Sequence, residues 1–174
     1  MTDETAIRKF VLHWGEMGTR WGINRTVAQI HALLFASERP ITAEEIADTL
    51  SVARSNVSGS LRELQSWGIV RPVHALGDRR THFEAIKDVW QMFRTIADHR
   101  KRREIDPTVV ALREAANEAE RGSYAAARLA DLVDFFQTID SAYTELTAVP
   151  VGAIRTAMKT RSRFRRLLAF LRAE

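Results

Sequence analysis

The sequence contains no cysteine, so disulfides and thiolate-held zinc are both excluded, and a reducing compartment is compatible with it. No stretch approaches the ~18 consecutive apolar residues that a membrane-spanning helix needs. The first residues include Asp3 and Glu4 and lead into no long apolar run, so no secretory leader is expected. A phosphate-binding glycine loop, a Gly-x-Ser-x-Gly nucleophile turn and a dinucleotide fingerprint are missing too. The five histidines, His13, His31, His74, His82 and His99, are scattered, and none stands at a ligand spacing such as His-x-x-x-His. His74 and His82 are placed to face each other across a hairpin, but two histidines without a carboxylate make a poor metal site. These absences argue against an enzyme, so no catalytic residue, metal or cofactor is expected. There is no internal repeat and no low-complexity segment.

What is present reads as a globular protein. Of 174 residues, 45% are hydrophobic and 28% charged, enough for one ordinary domain or a small domain with a helical appendage. The net charge of +4 is unevenly spread. It is −2 over residues 1–50, +3 over 51–87, +2 over 88–104, −5 over 105–148 and +6 over 149–174. That asymmetry suits a polyanionic partner, and for any one cluster a solvated helix face is the plainer reading.

Residues 5–22 place Ile7, Phe10, Val11, Trp14, Met17 and Trp21 at helical spacing. Gly15, Gly18 and Gly22 each weaken such a helix by roughly 1 kcal/mol relative to Ala, and close packing of another backbone would explain them. A second helix over 25–36 turns Val27, Ile30, Leu33 and Leu34 inward; Pro40 ends it and Ile41 opens a very short strand. Thr42 and Glu45 fit a capping box, opening a helix that buries Ile46, Ala47 and Leu50. After a Ser51-Val52 turn, the next helix runs over about 53–67. Val57, Leu61 and Leu64 share its buried face, with Arg54, Ser55, Ser58, Gly59 and Arg62 on others. Gly68 ends that helix. Residues 69–75 alternate as a strand, Gly77-Asp78 turns the chain, and residues 81–86 return.

The remainder is helical. Residues 88–103 form one helix, with Val89, Met92, Phe93 and Ile96 apolar. Asp106-Pro107 marks a break before a helix to about Arg121, and a long helix follows Gly122-Ser123 and ends at Pro150. A last helix covers 151–172. In the long helix Leu132, Ile139 and Leu146 recur every seven residues with Phe136 and Tyr143 between, the seam of a helix pair. A pairing within the chain and a two-fold dimer both satisfy this row.

The order helix, helix, helix-turn-helix, wing, helix resembles the MarR superfamily of winged-helix regulators, and more closely its GbsR-like branch. The words that carry the resemblance are Gly-Thr-Arg-Trp-Gly-Ile-Asn-Arg-Thr-Val-Ala-Gln-Ile-His-Ala-Leu-Leu, Ile-Thr-Ala-Glu-Glu-Ile-Ala, Ser-Asn-Val-Ser-Gly-Ser-Leu-Arg-Glu-Leu and Gly-Asp-Arg-Arg, over residues 10–90. The resemblance implies a mainly α fold with a small β-wing. Residues 1–24 would be an N-terminal helix for core and dimerisation, residues 25–87 a winged helix-turn-helix DNA-binding domain, and residues 88–174 a helical dimerisation region. It also implies a cytoplasmic, homodimeric transcriptional regulator, a repressor in the first instance. The partners would be a double-stranded DNA operator, a second copy and a small-molecule effector, with no membrane. A dimer is the preferred reading of the seven-residue row because operators are commonly palindromic.

In such a complex Arg54 would donate two hydrogen bonds to guanine or clamp a phosphate. Ser55 and Ser58 are short enough for close backbone approach, Asn56 suits adenine or phosphate, and Arg62 suits phosphate. Gly59 reads nothing itself, which leaves direct base readout from this turn open. In the wing, Asp78 and Arg80 are two apart and share one side, so the carboxylate can fix one guanidinium. The other of Arg79 and Arg80 is then free to enter a narrow minor groove. By resemblance Asp78 orients and the arginines touch DNA.

Two further basic groups, at residues 99–103 and 161–166, could follow the phosphate backbone. For the tail the alternatives are an amphipathic helix burying Phe164, Leu167, Leu168 and Leu171, or a membrane-surface helix. Phe10, Trp14 and Trp21 stand at helical spacing, which fits core packing or an aromatic cage for a quaternary ammonium effector such as choline or glycine betaine. The competing function class is a winged-helix module that docks protein and not DNA; paired arginines at the wing favour DNA.

Overall fold

Small residues bring the first two helices together. Helix α1 (Asp3–Arg20) lies against α2 (Arg25–Ala36) so closely that a Cβ on Gly18 would stand 2.5 Å from Ala28 Cβ, and one on Gly15 2.7 Å from Gln29 Cγ. The close packing anticipated for the glycines is therefore present at Gly15 and Gly18, but not at Gly22, which lies past the end of α1 with φ +74° and where a Cβ would meet nothing within 4 Å. This computed structural model describes residues 3–74, 76–153 and 156, and the chain divides into two compact units, residues 1–99 and residues from 100 onward.

In the first unit, α2 is the central element. Its Ile30 and Leu34 are fully buried, together with Ile46, Val57, Leu61, Leu64 and Ile69 from the elements around it. Strand β1 (Ile41–Thr42) leads into α3 (Ala43–Leu50), whose first turn carries the expected capping box. The Glu45 amide donates to Thr42 Oγ1 at 3.2 Å, and the Thr42 amide donates to Glu45 Oε2 at 2.7 Å. Arg39 also pairs with Glu45; its guanidinium, followed by the Thr42 amide, holds the Glu45 carboxyl down at about 2. Ser51 then adopts a left-handed conformation (φ 54°), which reverses the chain within two residues and launches α4 (Arg54–Ser66) across α2 and α3.

Strands β2 (Val70–His74) and β3 (Thr81–Ala85) form the hairpin, and β3 also pairs with β1, giving an antiparallel sheet in the order β1-β3-β2. Val73 lies opposite His82 and His74 opposite Thr81. Because side chains alternate along a strand, His74 and His82 point to opposite faces and do not meet as expected. Helix α5 (Val89–Arg100) buries Met92 and half-buries Ile96, while Val89 and Phe93 from the expected stripe are exposed. Lys87, just before it, donates from Nζ to the carbonyls of Leu34 (2.8 Å), Phe35 (2.9 Å) and Ser37 (2.6 Å), closing the C-terminal end of α2.

The second unit consists of a π-helical turn (Lys101–Ile105), α6 (Asp106–Glu118) and α7 (Tyr124–Ala148). The break expected at Asp106-Pro107 does not occur. Ile105 and Asp106 keep helical dihedrals, and the Asp106 amide reaches back to the Lys101 carbonyl. Proline has no N–H for the usual bond, and its ring crowds the carbonyl four residues back, so a wider turn carries the helix past it. Lys101 Nζ holds Asp106 at 2.7 Å and Asp140 of α7 at 2.6 Å, fastening the turn. Phe136 and Tyr143 are half-buried, whereas Leu132, Ile139 and Leu146 are 45%, 47% and 62% exposed. The helix expected over 151–172 lies outside the described residues except for 151–153 and 156, as do the basic residues 161–166. The molecule is mainly α with a small β-wing. Among the described residues no helix is long and apolar enough to cross a membrane.

Candidate nucleic-acid interface

Helix α4 is anchored on one side and open on the other. Val57, Ser60, Leu61 and Leu64 are buried, which fixes its rotation. Arg54, Ser55, Asn56, Ser58 and Arg62 are all exposed on the remaining surface. A Cβ added at Gly59 would meet nothing within 4 Å, so the middle of this face is a shallow spot between longer side chains. The helix opens without a side-chain cap, since Ala53 holds the N-cap position, and its first amides Asn56 and Val57 bond back to the Ala53 carbonyl.

At the wing, Gly77 takes φ +85° and turns the chain tightly. Asp78 then grips Arg80 in two ways. Its Oδ1 accepts from the Arg80 amide at 2.9 Å, and its two oxygens accept from Nε and Nη2 at 2.7 to 3.1 Å. This side-on, bidentate arrangement holds the planar guanidinium in one orientation. The Arg80 guanidinium, then its amide, hold the Asp78 carboxyl far below the usual carboxylate range. His82 stands beside the pair, with Nε2 3.6 Å from Asp78 Oδ2. Arg79 is exposed and makes no hydrogen bond or ion pair among the described residues. Of the two arginines, Arg80 is therefore the one fixed by Asp78.

The wing and α4 meet electrostatically at a residue that no sequence pattern singled out. Glu44, in the first turn of α3, pairs through Oε1 with Arg54, while its Oε2 lies 3.9 Å from Arg80 Nη1. Nothing in the spacing of these residues along the chain announces that contact, which exists only once α3, α4 and the wing are folded together. By contrast Asn56, Ser58 and Arg62 stay apart from the cluster, as exposed side chains along α4.

Phe10, Trp14 and Trp21 form a row: ring centroids are 5.5 Å apart for Phe10 and Trp14, and 6.1 Å apart for Trp14 and Trp21, the latter edge to face. Trp14 stands between the other two rings, tilted by 46° to Phe10, and Trp21 is 52% exposed.

Comparisons with known proteins agree with this geometry. The MarR family pattern matches residues 21–81, from the end of α1 to the first residue of β3. The HTH-type transcriptional repressor GbsR of Bacillus subtilis (strain 168) is 24% identical over 101 residues, a stretch covering 58% of this chain. The same stretch covers 56% of that relative, so the chain matches little more than half of its length. Among solved structures, the crystal structure of a transcriptional regulator superposes with a TM-score of 0.65 at 21% identity, over 81% of this chain and 95% of the other. At that identity the likeness is one of fold. The stretch that is similar to the MarR family, residues 21–81, holds the helix-turn-helix and the wing tip.

Proposed function

We propose that this protein is a transcriptional regulator of the GbsR type that binds double-stranded DNA as a homodimer and represses. The observation that carries the reading is the pairing of an exposed, entirely polar face on α4 with an arginine held rigid at the wing. A helix of this width enters the major groove, and a pre-oriented guanidinium beside it is suited to the minor groove or to phosphate. Arg54 and Arg80 are the principal contacts, Arg62 and Arg79 hold the backbone, and Ser55, Asn56 and Ser58 line the approach to base edges.

A homodimer is supported by the second unit, where no described side chain is fully buried. Helix α7 exposes Leu132, Phe135, Ile139 and Leu146, an apolar row that a second copy would cover. Enrichment of a random duplex library by the wild-type chain tests the whole reading. The expected product is a pseudo-palindrome with half-sites about one helical turn apart. Recovery of unenriched, random sequence would reject sequence-specific binding.

A further inference from the structure

Resting on the DNA-binding reading above, we propose that Glu44 is a specificity-setting residue: its carboxylate ties the recognition helix to the wing and restrains Arg54 and Arg80 from gripping phosphate indiscriminately. The carboxylate is shared. One oxygen pairs with Arg54 at the start of α4, and the other faces Nη1 of Arg80 across 3.9 Å. Asp78 already occupies the Nε and Nη2 edge of Arg80, so Nη1 is the edge left toward Glu44. Neighbouring Glu45 is engaged elsewhere, by Arg39 and by the capping box. Glu44 is thus the acidic group that both prongs share.

The consequence follows from charge. A phosphate approaching Arg54 or Arg80 must displace or tolerate a carboxylate a few ångströms away, and two anions at that range repel. A base edge offers neutral acceptors, guanine O6 and N7 to Arg54 in the major groove and adenine N3 or thymine O2 to Arg80 in the minor groove, and meets no such penalty. Glu44 therefore weakens the sequence-independent grip more than the sequence-dependent one. It also keeps the helix and wing prongs in a fixed relation before DNA arrives, so that less ordering remains at binding.

The test compares the wild-type chain with Glu44→Gln and Asp48→Asn on two probes, across a series of salt concentrations. One probe is a duplex enriched by the wild-type chain from a random library, and the other is a shuffled duplex of the same composition. Asp48 is an exposed residue one turn further along α3, so Asp48→Asn makes the same charge change away from the arginines. Glu44→Gln is expected to tighten binding to the shuffled duplex by roughly two- to five-fold, the size of one exposed ion pair. It should leave the enriched duplex nearly unchanged and steepen the salt slope on shuffled DNA by about one. Equal tightening on both duplexes, no change on either, or the same effect from Asp48→Asn would overturn the role of Glu44 and leave DNA binding standing. A wild-type chain that binds both duplexes alike, or neither, would overturn the sequence-specific DNA reading and this inference together.

Discussion

His31 is 4% exposed in the middle of α2, and its Nε2 has no hydrogen-bond partner among the described residues. Burial, assisted by the nearby Lys87 charge, pushes its pKa down to about 4. An unfolded chain protonates this histidine near 6.5, so below that pH the unfolded state binds a proton that the folded state refuses. Stability linked to His31 is complete above about 6.5 and drains away as pH falls toward 4, at up to about 1.4 kcal/mol per pH unit. Urea unfolding at pH 7 and pH 5 should show a smaller loss for His31→Gln than for the wild type. Equal losses would place the acid sensitivity elsewhere. Two glycines make a second contrast at this scale. Gly18→Ala forces a methyl into Ala28 and should destabilise by about 1–3 kcal/mol. Gly59→Ala meets open space on a helix and should stabilise by about 0.5–1 kcal/mol, as read by thermal unfolding. The sequence marks Gly18 as a helix-weakening residue and Gly59 as a position that reads no base; only the neighbours show what a methyl would meet at each.

Local elements were the most legible because their signals are local. The capping box of Thr42 and Glu45, the buried face of Val57, Leu61 and Leu64, and the left-handed Gly68 all act within a few residues, and each is where the sequence put it. Proline at 107 was misread as a break because its local effect is real, yet a π-turn absorbs it and two aspartates hold Lys101 in place. Apart from the close approach at Gly15 and Gly18, contacts between elements are not legible in the sequence. Lys87 closes α2 from more than fifty residues away in the chain, and Glu44 meets Arg54 and Arg80 only through the fold. Lys87→Met removes three donations to helix-end carbonyls and should cost on the order of 1 kcal/mol, since the group is exposed. A denaturant midpoint equal to wild type would show that those carbonyls are served as well by water.

For the whole molecule, the seven-residue row on α7 left two readings open in the sequence, a pairing within the chain or with another copy. Among the described residues Phe136 and Tyr143 are half-buried, while Leu132, Ile139 and Leu146 stay exposed, and the proposed homodimer would cover them. Ile139→Glu puts a charge into that row and should shift the mass in light scattering from dimer toward monomer at micromolar concentration. An unchanged mass would remove α7 from the dimer interface. The site itself was readable where its chemistry lies on one turn, Asp78 with Arg80, and unreadable where three elements converge. The central claim is that α4 and the wing grip DNA together through Arg54 and Arg80. Fluorescence anisotropy on an enriched duplex at fixed salt tests it most directly. Arg54→Ala and Arg80→Ala should each weaken binding by roughly ten-fold or more. Affinities for both variants equal to the wild type would contradict it.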